Sequence, residues 1–239
     1  MYRSLNAELI VETCRACQQR IAERFVNSGL SRVAVELYSV SQSAARLSGW
    51  HSRPHLPLRG LAAVGMVAIV GMVVGVARQV KPQPASSSIA EFLQGLDAAL
   101  NEVVFISLAG YFLLSLETRL KRYRALRAIH ELRSMAHIID MHQLTKDPER
   151  PGDFPDDPTD SGHNPQNPAE LIRYLNDCSD LLALISKLAA LYVQNFNDPV
   201  TLAAVNEVEN LTNGLSRKIW QKIMIFDRIL APAGRSSTT

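Results

Sequence analysis

The chain has 239 residues, with 25 lysines and arginines against 23 aspartates and glutamates and a net charge of +2. A charge balance so close to zero argues against a broad nucleic-acid-binding surface, and three cysteines are too few for a disulfide-stapled secreted fold. The mean hydropathy is also close to zero, but apolar residues are concentrated between residues 60 and 116. The two kinds of segment therefore need separate interpretation.

Residues 1–50 are predicted to form a cytosolic helical hairpin. Apolar side chains recur at spacings of three and four over 4–25, as they do on the buried face of a helix, and the pattern resumes over 30–47. The Asn-Ser-Gly sequence at 27–29 predicts the break between the two helices. A secretory signal peptide is not expected, because the N-terminal segment has no uninterrupted apolar core.

An uncharged apolar stretch predicts a first transmembrane helix at about residues 60–78. Its run GLAAVGMVAIVGMVVGVA is about 18 residues long, which at helical rise nearly matches the hydrocarbon core of a bilayer. Arg59 and Arg78 bracket the run, where long basic side chains reach lipid headgroups. The alternative is a buried helix of a soluble core, but such a helix normally carries polar residues along one edge.

A second transmembrane helix is predicted at about residues 98–117. It is less uniform than the first, because Asn101 and Glu102 occupy its first turn. The prolines and serines that precede it permit a turn between the two spans. No proline or glycine follows the second span until Pro148, so this helix is predicted to continue into the cytosol as one rod.

Basic residues near the spans predict that both termini face the cytoplasm. Arg46, Arg53 and Arg59 precede the first span, whereas the connection between the spans holds only Arg78 and Lys81. The second span is followed by Arg119, Lys121, Arg122, Arg124 and Arg127. Each cation near an anionic membrane surface adds about 1 kcal/mol of attraction, which predicts headgroup binding by this cluster. Its position beside a span makes nucleic acid the weaker alternative.

The C-terminal part is predicted to contain an acidic loop and two helices. Residues 147–168 hold six acids and six prolines, a composition that does not bury enough apolar surface to fold alone. Asn167 with Pro168, and Asp198 with Pro199, predict the two helix starts. The first helix carries two apolar stripes with coiled-coil spacing. The second stripe, predicted to pack on another helix or another subunit, consists of Leu181, Leu184, Leu188 and Leu191.

These features predict an all-α membrane protein, with a two-transmembrane-helix hairpin and a cytosolic helical bundle built from the N-terminal and C-terminal helices. The predicted parts are an N-terminal helical hairpin (1–50), a transmembrane hairpin (58–118), a cytosolic extension of the second span (119–146), an acidic Pro-rich loop (147–167), a C-terminal helical hairpin (168–231) and a disordered tail (232–239).

Within the membrane segment, two sets of residues are candidates for function. Glu102 is an ionisable group near an apolar span, and with Asn101 and Ser107 it would line a pathway if several hairpins surrounded a common axis. The alternative is a first-turn residue that reaches interfacial water or caps its helix. Small residues at close-packing spacing predict helix–helix contact, either between subunits or between the two spans. They are Gly65, Ala68, Gly71 and Gly75.

A metal or acid–base site is a further possibility on the cytosolic rod. His137 and Asp140 share a helix face, but a metal would need more ligands from another helix. Cys14 and Cys17 would join Cys178 around zinc only if the terminal helices meet, and the alternative is three small buried thiols. No phosphate-binding glycine loop, nucleophile elbow or metalloprotease helix is present in the sequence, and no cofactor is predicted.

The leading hypothesis for function is a non-enzymatic, self-associating membrane protein whose cytosolic helices act as a scaffold, sensor or signalling module. One alternative is an oligomeric ion channel or membrane-permeabilising effector with Glu102 near the pathway. Another is a membrane-anchored metal-dependent enzyme that uses His137 and Asp140. The expected partners are membrane lipids, including anionic headgroups, further copies of the chain and a cytosolic protein, and the expected location is a bacterial inner membrane.

Overall fold

The computed structural model describes residues 4–51, 56–79, 89–144 and 168–230, and these ranges contain six helices and no strand. The helices are α1 (Ala7–Arg24), α2 (Gly29–His51), α3 (Leu56–Gln79), α4 (Ile89–Leu144), α5 (Pro168–Val193) and α6 (Pro199–Leu230). The all-α prediction is confirmed, and α4 is one uninterrupted helix, as the sequence predicts. The acidic loop, its Asn167 cap and the C-terminal tail lie outside the described residues.

The helix starts follow from local capping by short polar side chains. Asp198 accepts hydrogen bonds at its Oδ2 from the backbone N–H and the hydroxyl of Thr201, at 3.0 and 2.9 Å, which confirms the predicted cap of α6. Asn6 caps α1 in the same way. Asn27 has a φ of 59°, a left-handed conformation that turns the chain between α1 and α2. Ser28 then caps α2, because its Oγ accepts a hydrogen bond from the backbone N–H of Ser31.

The chain divides into two compact units, one formed by Met1–Ser52 with Arg124–Thr239 and the other by Arg53–Tyr123. The first unit is a helical bundle of α1, α2, α5, α6 and the C-terminal part of α4. Within it, α5 packs against α1, α2 and α6 and is buried on most of its circumference. The bundle therefore has one continuous apolar core with α5 at its centre.

The end of α4 is held in this bundle by two specific contacts. The imidazole of His142, itself buried, lies so close to Gly29 that a methyl group at Gly29 would overlap it. Lys222 on α6 donates a hydrogen bond to the carbonyl oxygen of Gln143 at 3.0 Å. This ammonium group neutralises the negative end of the α4 dipole, so the last turn of α4 is fixed to both α2 and α6.

The second unit contains α3 and the N-terminal part of α4, which contact each other at two glycines. A methyl group added at Gly65 would lie 3.0 Å from Leu113 Cδ1, and one added at Gly110 would lie 3.3 Å from Met66 Cε. Each glycine accepts a larger side chain of the facing helix, which is how helices approach closely without a gap.

Candidate functional site

The apolar part of α4 is exposed over most of its circumference, and its remaining side faces α3. Leu100–Leu144 is the one stretch of the described residues that is long and apolar enough to cross a membrane, and 6 % of its most apolar window is buried. The core helix of a soluble protein passes the same test of length and composition but is mostly buried. Side chains more than half exposed include Val103, Val104, Phe105, Leu108, Tyr111 and Leu114. The predicted hairpin of two spans is not confirmed, because only this span is found.

The pathway candidates do not share a face of α4. Asn101, Glu102 and Ser107 are all exposed. At about 100° per residue, Glu102 lies about 100° from Asn101 and about 140° from Ser107 around the helix axis. The three polar groups therefore point to three sides of the helix, so one pathway would receive one of them from each subunit and not all three.

The predicted packing residues of α3 fall into two groups. Gly65 contacts Leu113 of α4, which is the packing of the first predicted span on the second. Ala68 is exposed, and a methyl group at Gly71 or Gly75 would meet no atom of the described chain within 4 Å. The four residues are therefore not one contact surface within the subunit.

The basic residues that follow the apolar part of α4 differ in their burial and in the groups with which they pair. Lys121 is buried and forms an ion pair with Glu117 one turn before it, at 2.9 Å, so its charge is neutralised inside the protein. Arg119 is exposed and reaches back along the helix, where its Nε donates to Ser115 Oγ at 3.1 Å and its guanidinium stacks on Phe112 at 5.4 Å. Arg122, Arg124 and Arg127 are half-buried or exposed, and Arg127 lies 3.7 Å from Glu131.

The predicted oligomer stripe is buried within one chain. Leu181, Leu184, Leu188 and Leu191 are between 0 and 5 % exposed within one chain. They belong to the core cluster that includes α1, α2, the end of α4 and α6. This burial favours the alternative in which the stripe packs on another helix, since α5 is covered over most of its circumference.

The candidate metal ligands are not brought together. His137 is exposed, and the Oδ1 of Asp140 accepts a hydrogen bond from Gln143 at 2.8 Å. Over residues 4–51, 56–79, 89–144 and 168–230, no group of three or more His, Cys, Asp or Glu side chains is arranged to hold a metal ion. Cys14, Cys17 and Cys178 are free thiols that all lie in the core.

A network of charges that the sequence did not indicate connects α1 to α5. The carboxylate of Asp177 is 3 % exposed and lies 2.9 Å from Arg20 and 3.5 Å from Arg24. Arg20 also pairs with the exposed Asp180. Burial raises the pKa of Asp177, and the two guanidinium groups oppose this shift. The spacing of Arg20 with Arg24, and of Asp177 with Asp180, is visible in the sequence. These side chains form ion pairs only because α1 packs antiparallel to α5.

A groove of about 1200 Å³ lies between α1 and α5 beside these charges. Its floor and walls are mainly apolar or small, from Leu5, Leu9, Ile10, Ala16, Ala183 and Leu184. Lys187 stands on its rim, where its ammonium donates to the Ala183 carbonyl oxygen at 3.4 Å. At the end of the groove away from Arg20, the side-chain amide of Gln194 accepts a hydrogen bond from the backbone N–H of Leu5 and donates one to its carbonyl oxygen.

We expect the native thiols to resist alkylation while the chain is folded. Burial raises the pKa of Cys14 and of Cys17 to about 11, and it raises the pKa of Cys178 further. At pH 8 a thiol with such a pKa is about 0.1 % thiolate, which is the reactive form. Maleimide labelling followed by mass spectrometry should therefore be slow in the native protein, faster as the pH approaches 11 and complete in denaturant. Rapid native labelling of all three at pH 8 would contradict the buried arrangement.

Comparisons of the chain with protein-family models, with curated proteins and with solved structures find no match.

Proposed function

We propose that the chain is an integral membrane protein in which α3 and the first part of α4 form a two-span anchor for a cytoplasmic helical bundle. The observation that carries this proposal is the exposure of apolar side chains over most of the circumference of α4 between residues 100 and 114. Such a surface is unfavourable in water by about 25 cal/mol for each Å² and is favourable among acyl chains. The stacking of Arg119 on Phe112 is consistent with a basic side chain that lies over the apolar region and reaches the headgroups.

We further propose that the bundle is a self-associating scaffold or signalling module that binds protein. Its support is the open, largely apolar groove between α1 and α5, whose rim carries charges of both signs. A groove of this composition along two helices suits a protein surface, because helices and side chains fill such grooves in many complexes. Neither the polar residues of α4 nor the His137 and Asp140 pair is arranged so as to favour the channel or the metal-enzyme hypothesis over this one.

Fractionation of cells that express the full chain tests the anchor. We expect the protein to remain in the membrane pellet in alkaline carbonate and high salt, and to leave it only in detergent. In vesicles whose cytoplasmic side faces inward, an impermeant maleimide should react with a cysteine introduced between the two spans while the vesicles are intact. Cysteines introduced at the two termini should react only after the vesicles are opened. A chain that stays folded and monodisperse in buffer without detergent would end the proposal.

A further inference from the structure

We infer that the groove between α1 and α5 is the surface through which two copies of this chain bind each other, with a two-fold axis that crosses the groove near Ala183. This inference rests on the self-association proposed above and identifies its interface. It replaces the leucine stripe, which is buried in the core.

The exposed side of α5 is one narrow row that carries a self-complementary pair of charges. From residue 173 to residue 193, the exposed residues of α5 are Arg173, Asn176, Asp180, Ala183 and Lys187. Asp180 and Lys187 lie on opposite sides of a point between Ala183 and Leu184. An antiparallel copy of α5 centred on that point brings each Asp180 opposite the Lys187 of the other copy. The same surface is used on both subunits, which is the defining property of a two-fold interface.

The facing side of α1 obeys the same symmetry. Besides the buried Ile10 and Cys17, its residues on the groove are Leu9, Thr13, Ala16 and Arg20. Pairing them antiparallel places Thr13 opposite Ala16 of the other copy, where both side chains are small. Arg20 contacts α5 near residues 177–180, and Leu5 contacts Gln194. These two contacts show that α1 and α5 are antiparallel, and they define the register of one helix along the other. By these contacts the midpoint of Thr13 and Ala16 lies level with Ala183 and Leu184, so one axis serves both helices.

The shape and charge of the groove suit this occupant. The alanines at its centre, Ala16 and Ala183, let two backbones approach closely, and Leu9, which is 60 % exposed, gains a covered position at the edge. Lys187 has no carboxylate within ion-pair distance among the residues that the structure describes, and Asp180 of a second copy supplies one. The contact thus covers apolar surface and pairs a charge at each of two symmetric positions.

Disulfide crosslinking of the full chain in its membrane tests the interface. Ala183→Cys places a thiol beside the axis, so mild oxidation should give at least about tenfold more disulfide-linked dimer than Ala203→Cys, because a disulfide requires Cα atoms within about 7 Å. Ala203 is an exposed alanine of α6 and serves as the matched control. The buried native thiols provide a quiet background.

Charge variants of the detergent-solubilised chain, compared by light scattering, give an independent test. Lys187→Glu should weaken the dimer by about tenfold, since it places two carboxylates opposite each other twice. Ala183→Glu should give a monomer, with unchanged helix content by circular dichroism. Ala203→Glu should remain a dimer.

Two negative results have different meanings. If the wild-type chain is monomeric both in membranes and in detergent, then self-association itself is wrong and this interface falls with it. If the wild-type chain is a dimer that survives Ala183→Glu and gives no Ala183→Cys crosslink, then self-association stands and the groove is not its interface. Crosslinking at Ala183 together with loss of the dimer in Ala183→Glu supports the inference.

Discussion

The double variant Val104→Arg/Leu108→Arg is expected to lose its stable integration into the membrane. Both side chains are 63 % exposed and lie one turn apart near the middle of the apolar part of α4. An arginine at the centre of a span costs about 2.5–3.5 kcal/mol, so two of them disfavour insertion by about 5–7 kcal/mol. Carbonate extraction measures the effect as the fraction of protein that remains in the pellet, which should fall several-fold.

The control for this experiment lies on the same helix. Ile138 and Met141 are exposed apolar residues of α4 that belong to the bundle unit, at 46 and 63 % exposure. Ile138→Arg/Met141→Arg introduces the same charges into a surface that we expect to face water, so membrane retention should be unchanged. If both double variants are retained like the wild type, the apolar part of α4 is not in contact with acyl chains.

Arg20→Ala is expected to destabilise the bundle more than removal of any exposed charge on α1. Removing Arg20 leaves the carboxylate of Asp177, which is 3 % exposed, with only the more distant Arg24. An uncompensated buried charge costs about 3–5 kcal/mol, and the remaining arginine reduces this to about 2–3 kcal/mol. Urea unfolding of the full chain in mild detergent, followed by circular dichroism, measures the loss. Arg15→Ala removes an exposed arginine of the same helix and is the matched control.

The destabilisation by Arg20→Ala should depend on pH with a definite sign. Burial already raises the pKa of Asp177 in the folded state, and loss of the opposing guanidinium raises it further. The folded variant therefore binds a proton more readily than the unfolded chain does. Its deficit relative to the wild type is largest at neutral pH and shrinks as the pH falls through the raised pKa of Asp177. Arg20→Ala/Asp177→Asn should recover most of the loss at neutral pH, and a deficit that ignores both pH and Asp177→Asn would show that Arg20 acts by packing alone.

Local signals predict the helices of this chain well, because helix ends depend on residues that are close in sequence. Asp198 before Pro199 marks the start of α6, and the short polar segment at 27–29 separates α1 from α2, as the structure confirms. The continuity of α4 follows in the same way from the lack of proline and glycine between the second predicted span and residue 144.

Contacts between different helices do not follow from the sequence pattern alone. The spacing of Leu188 and Leu191 shows that they share a helix face, but it does not show whether that face is already covered, and the structure buries it inside one chain. Lys121 has the position of a headgroup-binding residue, yet the carboxylate of Glu117 neutralises it. His142 gave no packing signal in the sequence, and its buried position against Gly29 depends on two helices meeting.

By itself, the sequence determined that the described segments of this chain are helical, where several of those helices begin and end, and that one region is too apolar to resemble the rest, because periodicity, capping and hydropathy are properties of neighbouring residues. Only the tertiary structure decided which surfaces remain open. It placed α5 in the core, paired Asp177 with Arg20 and left a groove beside α1, because burial depends on helices that are far apart in the chain and packed together in space.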